Sequence, residues 1–317
     1  MNKRLMTVAV AAALALPMAA NAGDAKVYGK VHVSLDNLSD SGLRIDGQSK
    51  KANSIGVKGS MDSNLHDFKV VYKIEAGMDL ESTDGFHKQR DTWVGMSSKS
   101  IGTFRAGTIV TSYKGSGKMV DPLFTTTAEG RGAMGLMSDL HGGTGDNAGR
   151  ATNTMRYDSP SIGGAKIIGT YTVRPSVDDN IGVGLHYKNG PVAAFFDYIS
   201  FGDEELTAMK VGGKYTAGPA SVALQYEIDD DGSIGTARTN KKVGTGIGGD
   251  QLFVAGTYSM GATSLIVTVG SNDENMGYAL AAQQKLNKKA AAYLGYAASD
   301  DSGTDDSAIT AGMVVKF

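Results

Sequence analysis

The stretch "FKVVYKIEAGMD", residues 68–79, alternates between two kinds of side chain. Its even-numbered positions are apolar: Phe68, Val70, Tyr72, Ile74, Ala76 and Met78. Its odd-numbered positions are mostly charged or small: Lys69, Val71, Lys73, Glu75, Gly77 and Asp79. Because successive side chains of a strand point to opposite faces, this period of two predicts a β-strand with one apolar and one polar face.

The same alternation recurs from "VYGKVHVSLD" at residues 27–36 to "ITAGMVVKF" at residues 309–317. Counting such segments predicts about 16 strands of roughly ten residues, the length at which a tilted strand crosses a bilayer. Short connectors alternate with longer polar ones, which is typical of a transmembrane barrel. A soluble sandwich would also alternate, but so many strands without a domain linker, and a charged second face, favour a barrel with a wet lumen. The predicted fold is therefore all-β, a 16-stranded antiparallel transmembrane β-barrel.

The N-terminal stretch "MNKRLMTVAVAAALALPMAANA", residues 1–22, has two basic residues, an apolar run and a small-x-small end. This pattern predicts a cleaved secretory signal peptide, and the apolar run is short for a membrane span. A membrane anchor or a core helix is the alternative. The barrel domain would then cover residues 23–317, with 29 basic against 33 acidic residues and a net charge of −4.

Composition and motifs exclude several classes of protein. The chain has no Cys, and its net charge is near zero, so neither disulfides nor a nucleic-acid partner are predicted. "GSGKM" and "GTGIGGD" lack the context of nucleotide-binding loops, and the five His have no metal-ligand spacing. The acidic stretches "DDDG" at Asp229 and "SDDSGTDDS" at Ser299 could bind Ca²⁺ weakly, although a solvated loop is the default. No nucleophile–base arrangement stands out, so neither an enzyme nor a cofactor is predicted.

The final segment alternates up to its last residue, Phe317. If this strand pairs with the first one, it closes the sheet, and closure leaves no unpaired backbone edge in lipid. An aromatic residue at this position can lie at the membrane interface. Phe317 is therefore predicted to take part in barrel closure.

The whole mature chain resembles the Gram-negative general-diffusion porins. The resemblance rests on the signal peptide, "VYGKVHVSLDN", "SIGVKGSMD", "KQRDTWVGMSSKSIGTFRAG", "NTMRYDSPSIGGAKIIGTY" and the terminal Phe. It implies a homotrimer in the outer membrane, surrounded by lipid and lipopolysaccharide, and Phe317 as a signal for the barrel assembly machinery. It also implies a water-filled channel for small hydrophilic solutes and ions.

Residues 111–149 form the longest stretch without alternation, and a long irregular loop in a compact unit is usually functional. In the porins, the third loop folds into the barrel and narrows it, and this stretch lies at the matching place. The resemblance implies acidic residues on this constriction loop, and Asp121 and Glu129 match best. Arg131 lies beside Glu129 and could pair with it or reduce its field.

The resemblance also implies a basic cluster on the wall opposite the loop. The matching positions are Lys30, Lys88, Arg90 and Arg156, with Arg105 as a further candidate. Where many relatives carry an Arg on the second strand, this chain has Ser54, which lowers the implied preference for anions. Opposed charges across a narrow pore would orient polar solutes and set ion preference.

Three functions from different classes follow. The first is a passive pore with this charged constriction. The second is a solute-selective channel on the same barrel, marked by an aromatic ladder, against which the single Trp argues. The third is an outer-membrane enzyme or adhesin.

Overall fold

The structure is a computed structural model of the full chain. It describes residues 24–47, 52–81, 86–131, 137–138, 140, 150–174, 179–202, 206–229, 249–272, 275–300 and 306–317, with only the backbone at 87, 88, 206, 229 and 249. The predicted signal peptide, 1–22, lies outside these residues. Within the described part of the chain, no helix is long and apolar enough to cross a membrane.

Antiparallel strands make up nearly all of the described structure. They are β1 Lys26–Leu38, β2 Gly42–Asp46, β3 Ser54–Asp62, β4 Lys69–Met78, β5 Phe86–Ser98, β6 Gly102–Ile109, β7 Ala151–Asp158, β8 Ala165–Thr172, β9 Asn180–Asn189, β10 Val192–Phe201, β11 Leu206–Ala217, β12 Ala220–Asp229, β13 Gly249–Met260, β14 Thr263–Ser271, β15 Met276–Lys285, β16 Ala290–Ser299 and β17 Ser307–Lys316. One helix, α1 Ser112–Val120, follows β6. From β3 to β17 each strand pairs with the next in sequence, β1 pairs with both β2 and β3, and β17 pairs with β1, so the sheet closes.

Strands β2 and β3 share one strand position in the barrel wall. β3 pairs with the start of β1 and β2 pairs with its end, so the two segments together fill the place of a single strand. At the break between them, the side-chain amide of Asn53 accepts from the His32 N–H (2.5 Å) and donates to the His32 carbonyl (2.9 Å). An Asn side chain thus replaces a backbone pair in the ladder. The prediction of a closed 16-stranded antiparallel barrel is confirmed.

The barrel has two different ends. At the end where β1 starts and β17 finishes, several connections are two-residue turns that begin at Gly190, Gly218 and Gly261, each with positive φ. Glycine adopts this conformation without a steric penalty, which suits a tight hairpin. We call this the turn end, and the opposite end, with the longer connections, the loop end.

The seam between β1 and β17 continues to the last residue. The Gly29 N–H donates to the Phe317 carbonyl and the Phe317 N–H donates to the Gly29 carbonyl, both at 3.1 Å. The Phe317 ring lies in the space that a side chain at Gly29 would fill. The last residue therefore extends the ladder that closes the barrel, and Gly29 leaves room for its ring.

Burial along the strands is the reverse of that in a water-soluble protein. On β14, the apolar Leu265, Val267 and Val269 are exposed, while Ser264 and Thr268 are buried on the inner face. The same pattern holds on β9 and β1. An apolar outer wall around a polar interior is the pattern of a barrel that faces lipid.

Candidate functional site: a charged passage beside an in-folded loop

Helix α1 begins the segment that folds into the barrel. Its N-cap, Thr111, accepts a hydrogen bond from the Lys114 N–H at 3.3 Å. Two glycines weaken the intrinsic helical preference of "SYKGSGKMV", so the helix depends on packing. Of its five buried positions, Tyr113, Ser116, Gly117 and Val120 follow helical spacing and face the wall, and Ser112 is buried at the start of the helix. The expectation of an irregular segment was therefore wrong for these nine residues.

A row of buried polar side chains on the wall anchors the loop. Asp197, Lys210, Glu227 and Gln251 lie directly opposite one another on β10 to β13, and none is more than 4% exposed. We call them the anchor row. The loop satisfies them with these contacts: Ser112 Oγ to Asp197, Tyr113 Oη to Glu227, Ser138 Oγ to Glu227 (2.5 Å), Ser138 N–H to Gln251 (2.9 Å) and the Lys210 ammonium over the Tyr113 ring (4.1 Å). Buried polar groups without partners are costly, so this row fixes where the loop lies.

The loop then continues along the inner wall to the seam. Leu123 and Ala128 pack in an apolar cluster with side chains of β1 and β14 to β17. The Thr127 hydroxyl donates to Asp36 at 2.6 Å, and Asp36 also accepts from Thr310 across the seam at 2.6 Å. The described loop residues therefore cover the inner wall from β8, through β13, to β1. The remaining arc of the wall, β3 to β7, lies across from them.

A β-bulge concentrates charge on that remaining arc. Ile74 on β4 pairs with Thr92 on β5, and Ala76 pairs with Gln89, so the register shifts by one residue between these two pairs. As a result, Arg90 and Asp91 both lie opposite Glu75. Bulges redirect side chains in this way, and here two consecutive charged residues meet one carboxylate on the lumen side.

Eight charged side chains, seven on β4 to β7 and Arg150 just before β7, form two ion-paired groups on these adjacent strands, which together we call the wall cluster. Its ion pairs are Arg90–Glu75 (2.5 Å), Lys73–Glu75 (3.2 Å), Arg150–Glu75 (3.5 Å), Arg150–Asp91 (3.0 Å), Arg156–Asp158 (2.8 Å), Lys73–Asp91 and Arg105–Asp158. Five cations face three carboxylates, which leaves a formal net charge of +2. The wall cluster is thus a positive but largely paired surface.

Aromatic rings extend the wall cluster. The Tyr28 hydroxyl donates to Glu75 at 2.8 Å, and the ammonium groups of Lys58 and Lys73 lie over its ring at 5.1 and 5.6 Å. The Arg105 guanidinium lies 5.2 Å from the centre of the Trp93 ring. These contacts hold the long basic side chains against the wall, where cation–π attraction adds to the ion pairs.

The two acidic residues predicted for the loop, Asp121 and Glu129, are both buried within it, at 3% and 2% exposure. Asp121 accepts from the backbone N–H groups of Leu123 and Gly130, both at 2.8 Å, and burial raises the pKa of this carboxyl to about 7, with a further contribution from Glu129. Glu129 accepts from the Thr125 N–H at 2.6 Å and forms the expected pair with Arg131 at 3.1 Å. Both carboxylates therefore hold the loop together, and their direct action on solutes stays a prediction.

The predicted basic residues divide into two groups. Arg90, Arg105 and Arg156 belong to the wall cluster, and Arg156 also donates to the Val110 carbonyl at the start of the loop (2.6 Å). Lys30 lies on β1 and donates to Thr125 of the loop at 3.1 Å. The remaining residue, Lys88, lies on β5 opposite Gly77, and its side chain lies outside the described part of the structure.

Sequence reasoning did not select several members of the site: Tyr28, Lys73, Glu75, Asp91, Arg150 and Asp158. Lys73 and Glu75 were on the polar side of the opening stretch, so alternation alone could have suggested them. Asp91 faces Glu75 only because of the bulge, which no local sequence pattern predicts. Ser54, where an Arg was expected by resemblance, is buried and pairs with Lys30 in the ladder.

A closed barrel with an apolar outer wall, a charged interior and a loop folded into it defines an outer-membrane channel. The sequence matches the Gram-negative porin family over residues 7–304, so the chain belongs to that family. It is a channel of the outer membrane for passive diffusion. A comparison with curated proteins found no significant match.

Porins are among the solved structures similar to this chain. An anion-selective porin from Comamonas acidovorans is 18% identical, with a TM-score of 0.68 over 93% of this chain and 99% of that one. Salmonella typhi OmpF, in a complex with daunomycin, is 15% identical, with a TM-score of 0.70 over 92% and 97%. A mutant of the Rh. blastica porin is 14% identical, with a TM-score of 0.69 over 92% and 100%. At these identities the structures support the fold alone.

Proposed function

We propose that solutes pass between the wall cluster and the in-folded loop, and that this gap is the constriction of the channel. The observation that carries the proposal is the division of the inner wall: the loop occupies the arc from β8 to β1, and the wall cluster occupies the arc from β4 to β7. Small hydrophilic solutes and ions are the expected cargo, because the lining is polar and charged.

The charge balance of this gap favours anions over cations. The wall cluster has a net charge of +2, while the two acidic loop residues that the structure describes, Asp121 and Glu129, are buried and bound by loop groups. A positive lining raises the local concentration of anions and lowers that of cations. The basic members of the constriction are then Lys30, Lys88, Arg90, Arg105 and Arg156, and Asp121 and Glu129 support the loop.

Conductance of the purified protein in a planar bilayer tests this proposal. Under a salt gradient, we expect stable stepwise openings and a reversal potential of the sign that anion preference gives. A folded, inserted sample without conductance would contradict the open passage. A cation-selective potential would contradict the assignment of the wall cluster to its lining.

A solute-selective channel is the second candidate, favoured by the ring of Trp93 on the lumen side. With Arg105 above it, this ring could provide a surface for an aromatic or sugar-like solute. Tyr28, with its two lysines, could provide another. Saturation of solute flux in a liposome assay would indicate this function, whereas flux proportional to concentration would indicate simple diffusion.

An enzyme is less well supported, although a Ser, a His and an Asp meet inside the barrel. His186 Nε2 lies 3.0 Å from Ser112 Oγ and 3.0 Å from Asp197. A catalytic relay needs the base to contact the nucleophile with one ring nitrogen and the carboxylate with the other. Here a single nitrogen serves both, and Ser112 also donates directly to Asp197. We infer that this group anchors α1, and that the protein is a channel without catalytic activity.

Family membership supports further proposals about the export, assembly and oligomeric state of the protein. Residues 1–22 are proposed to direct export and to be cleaved, which mass spectrometry of the mature N-terminus would test. Phe317 is proposed to be recognised by the barrel assembly machinery. In the outer membrane, with lipid and lipopolysaccharide around it, the barrel is proposed to form a homotrimer, which native mass spectrometry in detergent would show.

A further inference from the structure

Three lysines from separate elements come together on the lumen side near the turn end. Lys30 and Lys316 lie directly opposite each other on β1 and β17, both at inner-face positions. Lys118, exposed in the last turn of α1, lies near enough for its charge to act on Lys30 and for the charges of Lys316 and Lys73 to act on it. We call Lys30, Lys118 and Lys316 the lysine trio.

Little negative charge lies close enough to the lysine trio to balance its positive charge. Of its ammonium groups, only that of Lys30 makes a hydrogen bond within the described structure, to the neutral Thr125, and none has a carboxylate within 4.0 Å. Glu129 acts on Lys30 and Glu75 acts on Lys118, but each of these carboxylates is paired with an arginine.

Like charges on opposed strand positions are destabilising, since their Cβ atoms are about 5 Å apart. Partial desolvation inside the barrel, and then repulsion from Lys316 and Lys73, lower the pKa of Lys118. The barrel nevertheless presents the lysine trio to the passage. A multivalent anion would relieve this repulsion, because it can accept from several ammonium groups at once. Lysine serves as a point-charge ligand for phosphate groups in proteins.

We propose that the lysine trio is a binding site for soluble phosphate-type polyanions at the turn-end side of the constriction. This inference rests on the proposed function, because the anion must enter the lumen to reach the site. A monovalent anion such as chloride would pass with a weak interaction. A polyanion would stay longer and interrupt the ionic current.

Inorganic pyrophosphate is the probe for the test. In a planar bilayer in KCl, we expect it to reduce the current of the wild-type channel in a saturable way. The double variant Lys118→Gln with Lys316→Gln removes two of the three charges and should weaken the block about tenfold, since each exposed ion pair contributes modestly. The variant Lys118→Arg with Lys316→Arg keeps the charge and should retain the block.

Lys214 provides the matched control. It lies near the turn end of β11, on the other side of the barrel, and Lys214→Gln removes one positive charge there by the same type of substitution. We expect this variant to be blocked like the wild type. If all four proteins are blocked equally, or none is, the lysine trio is not the site and the inference is overturned.

A binding measurement keeps this test separate from that of the channel itself. Titration calorimetry of pyrophosphate into the folded barrel in detergent does not depend on conductance. A barrel that conducts but shows no saturable binding would overturn the inference and leave the proposed function intact. A barrel that binds pyrophosphate through Lys118 and Lys316 but does not conduct would contradict the open passage and support the site.

Discussion

Neutralising Arg90 and Arg156 together should shift the channel toward cations. Both guanidinium groups belong to the wall cluster, where they pair with Glu75 and Asp158. The formal charge of the cluster is +2, so Arg90→Gln with Arg156→Gln brings it to zero. The carboxylates that remain are still held by Lys73, Arg150 and Arg105, which limits collapse of the wall.

The size of the shift follows from elementary electrostatics. At a separation of about 10 Å in water-like surroundings, a unit charge changes the energy of a permeating ion by about 0.4 kcal/mol, and about 0.1 M salt screens this to about 0.15 kcal/mol. Removing two charges raises the energy of an anion by about 0.3 kcal/mol and lowers that of a cation by about as much. The ratio of anion to cation permeability should therefore fall about threefold.

Reversal potentials in a planar bilayer under a salt gradient measure this ratio. The matched control is Arg44→Gln with Lys69→Gln, which removes two exposed positive side chains outside the wall cluster. We expect the control to keep the wild-type ratio. An unchanged ratio in the double variant, from channels of normal conductance, would refute the placement of these arginines at the passage.

Three further predictions concern closure, the loop and pH. Gly29→Val should place a side chain in the space of the Phe317 ring and destabilise the barrel by about 1–3 kcal/mol. Gly169→Val, at a strand glycine with open surroundings, should be tolerated. The amount of heat-resistant folded barrel on gels would distinguish the two variants. Tyr113→Phe removes the hydroxyl that donates to the buried Glu227 of the anchor row, at a cost of about 1–3 kcal/mol. It should increase brief closures in single-channel records, whereas Tyr215→Phe on the outer face should not. Burial raises the pKa of Asp121 to about 7, above its usual value of about 3.9, so the folded protein binds the proton more tightly than the unfolded chain and stability should fall as pH rises from about 4 to 7. Asp121→Asn should remove that part of the pH dependence, and an unchanged profile of the thermal midpoint would contradict the assignment.

Much of the fold was predictable because alternation is a local signal. Most of the stretch at residues 68–79 forms β4 with the predicted faces, because its alternation depends only on the residues of the strand itself. The short strand β2 was missed because "GLRID", although it alternates, has only five residues, about half the length of the segments counted as strands. Helix α1 was also missed, because its two glycines hide a helical pattern that only the barrel wall stabilises.

The site was less predictable, because it depends on which strands become neighbours. Arg90 and Arg156 could be selected from motifs, but their partners could not. The bulge that puts Arg90 and Asp91 opposite Glu75 is a property of the pairing between β4 and β5. The pair of Glu129 with Arg131 could be suggested from the sequence, but the bonds of Asp121 and Glu129 to backbone N–H groups of the loop could not.

By itself the sequence determined the class of fold, since alternation over strands of bilayer-crossing length leaves a lipid-facing barrel as the favoured arrangement. It also determined the polarity of each face, because side-chain direction in a strand is fixed by parity. Only the tertiary structure decided which charges meet, where the loop rests and which lysines face one another. Those relations arise from register and closure, which bring residues such as Lys30 and Lys316 together across nearly the whole length of the chain. No local pattern contains that information, because its cause is the pairing of the last strand with the first.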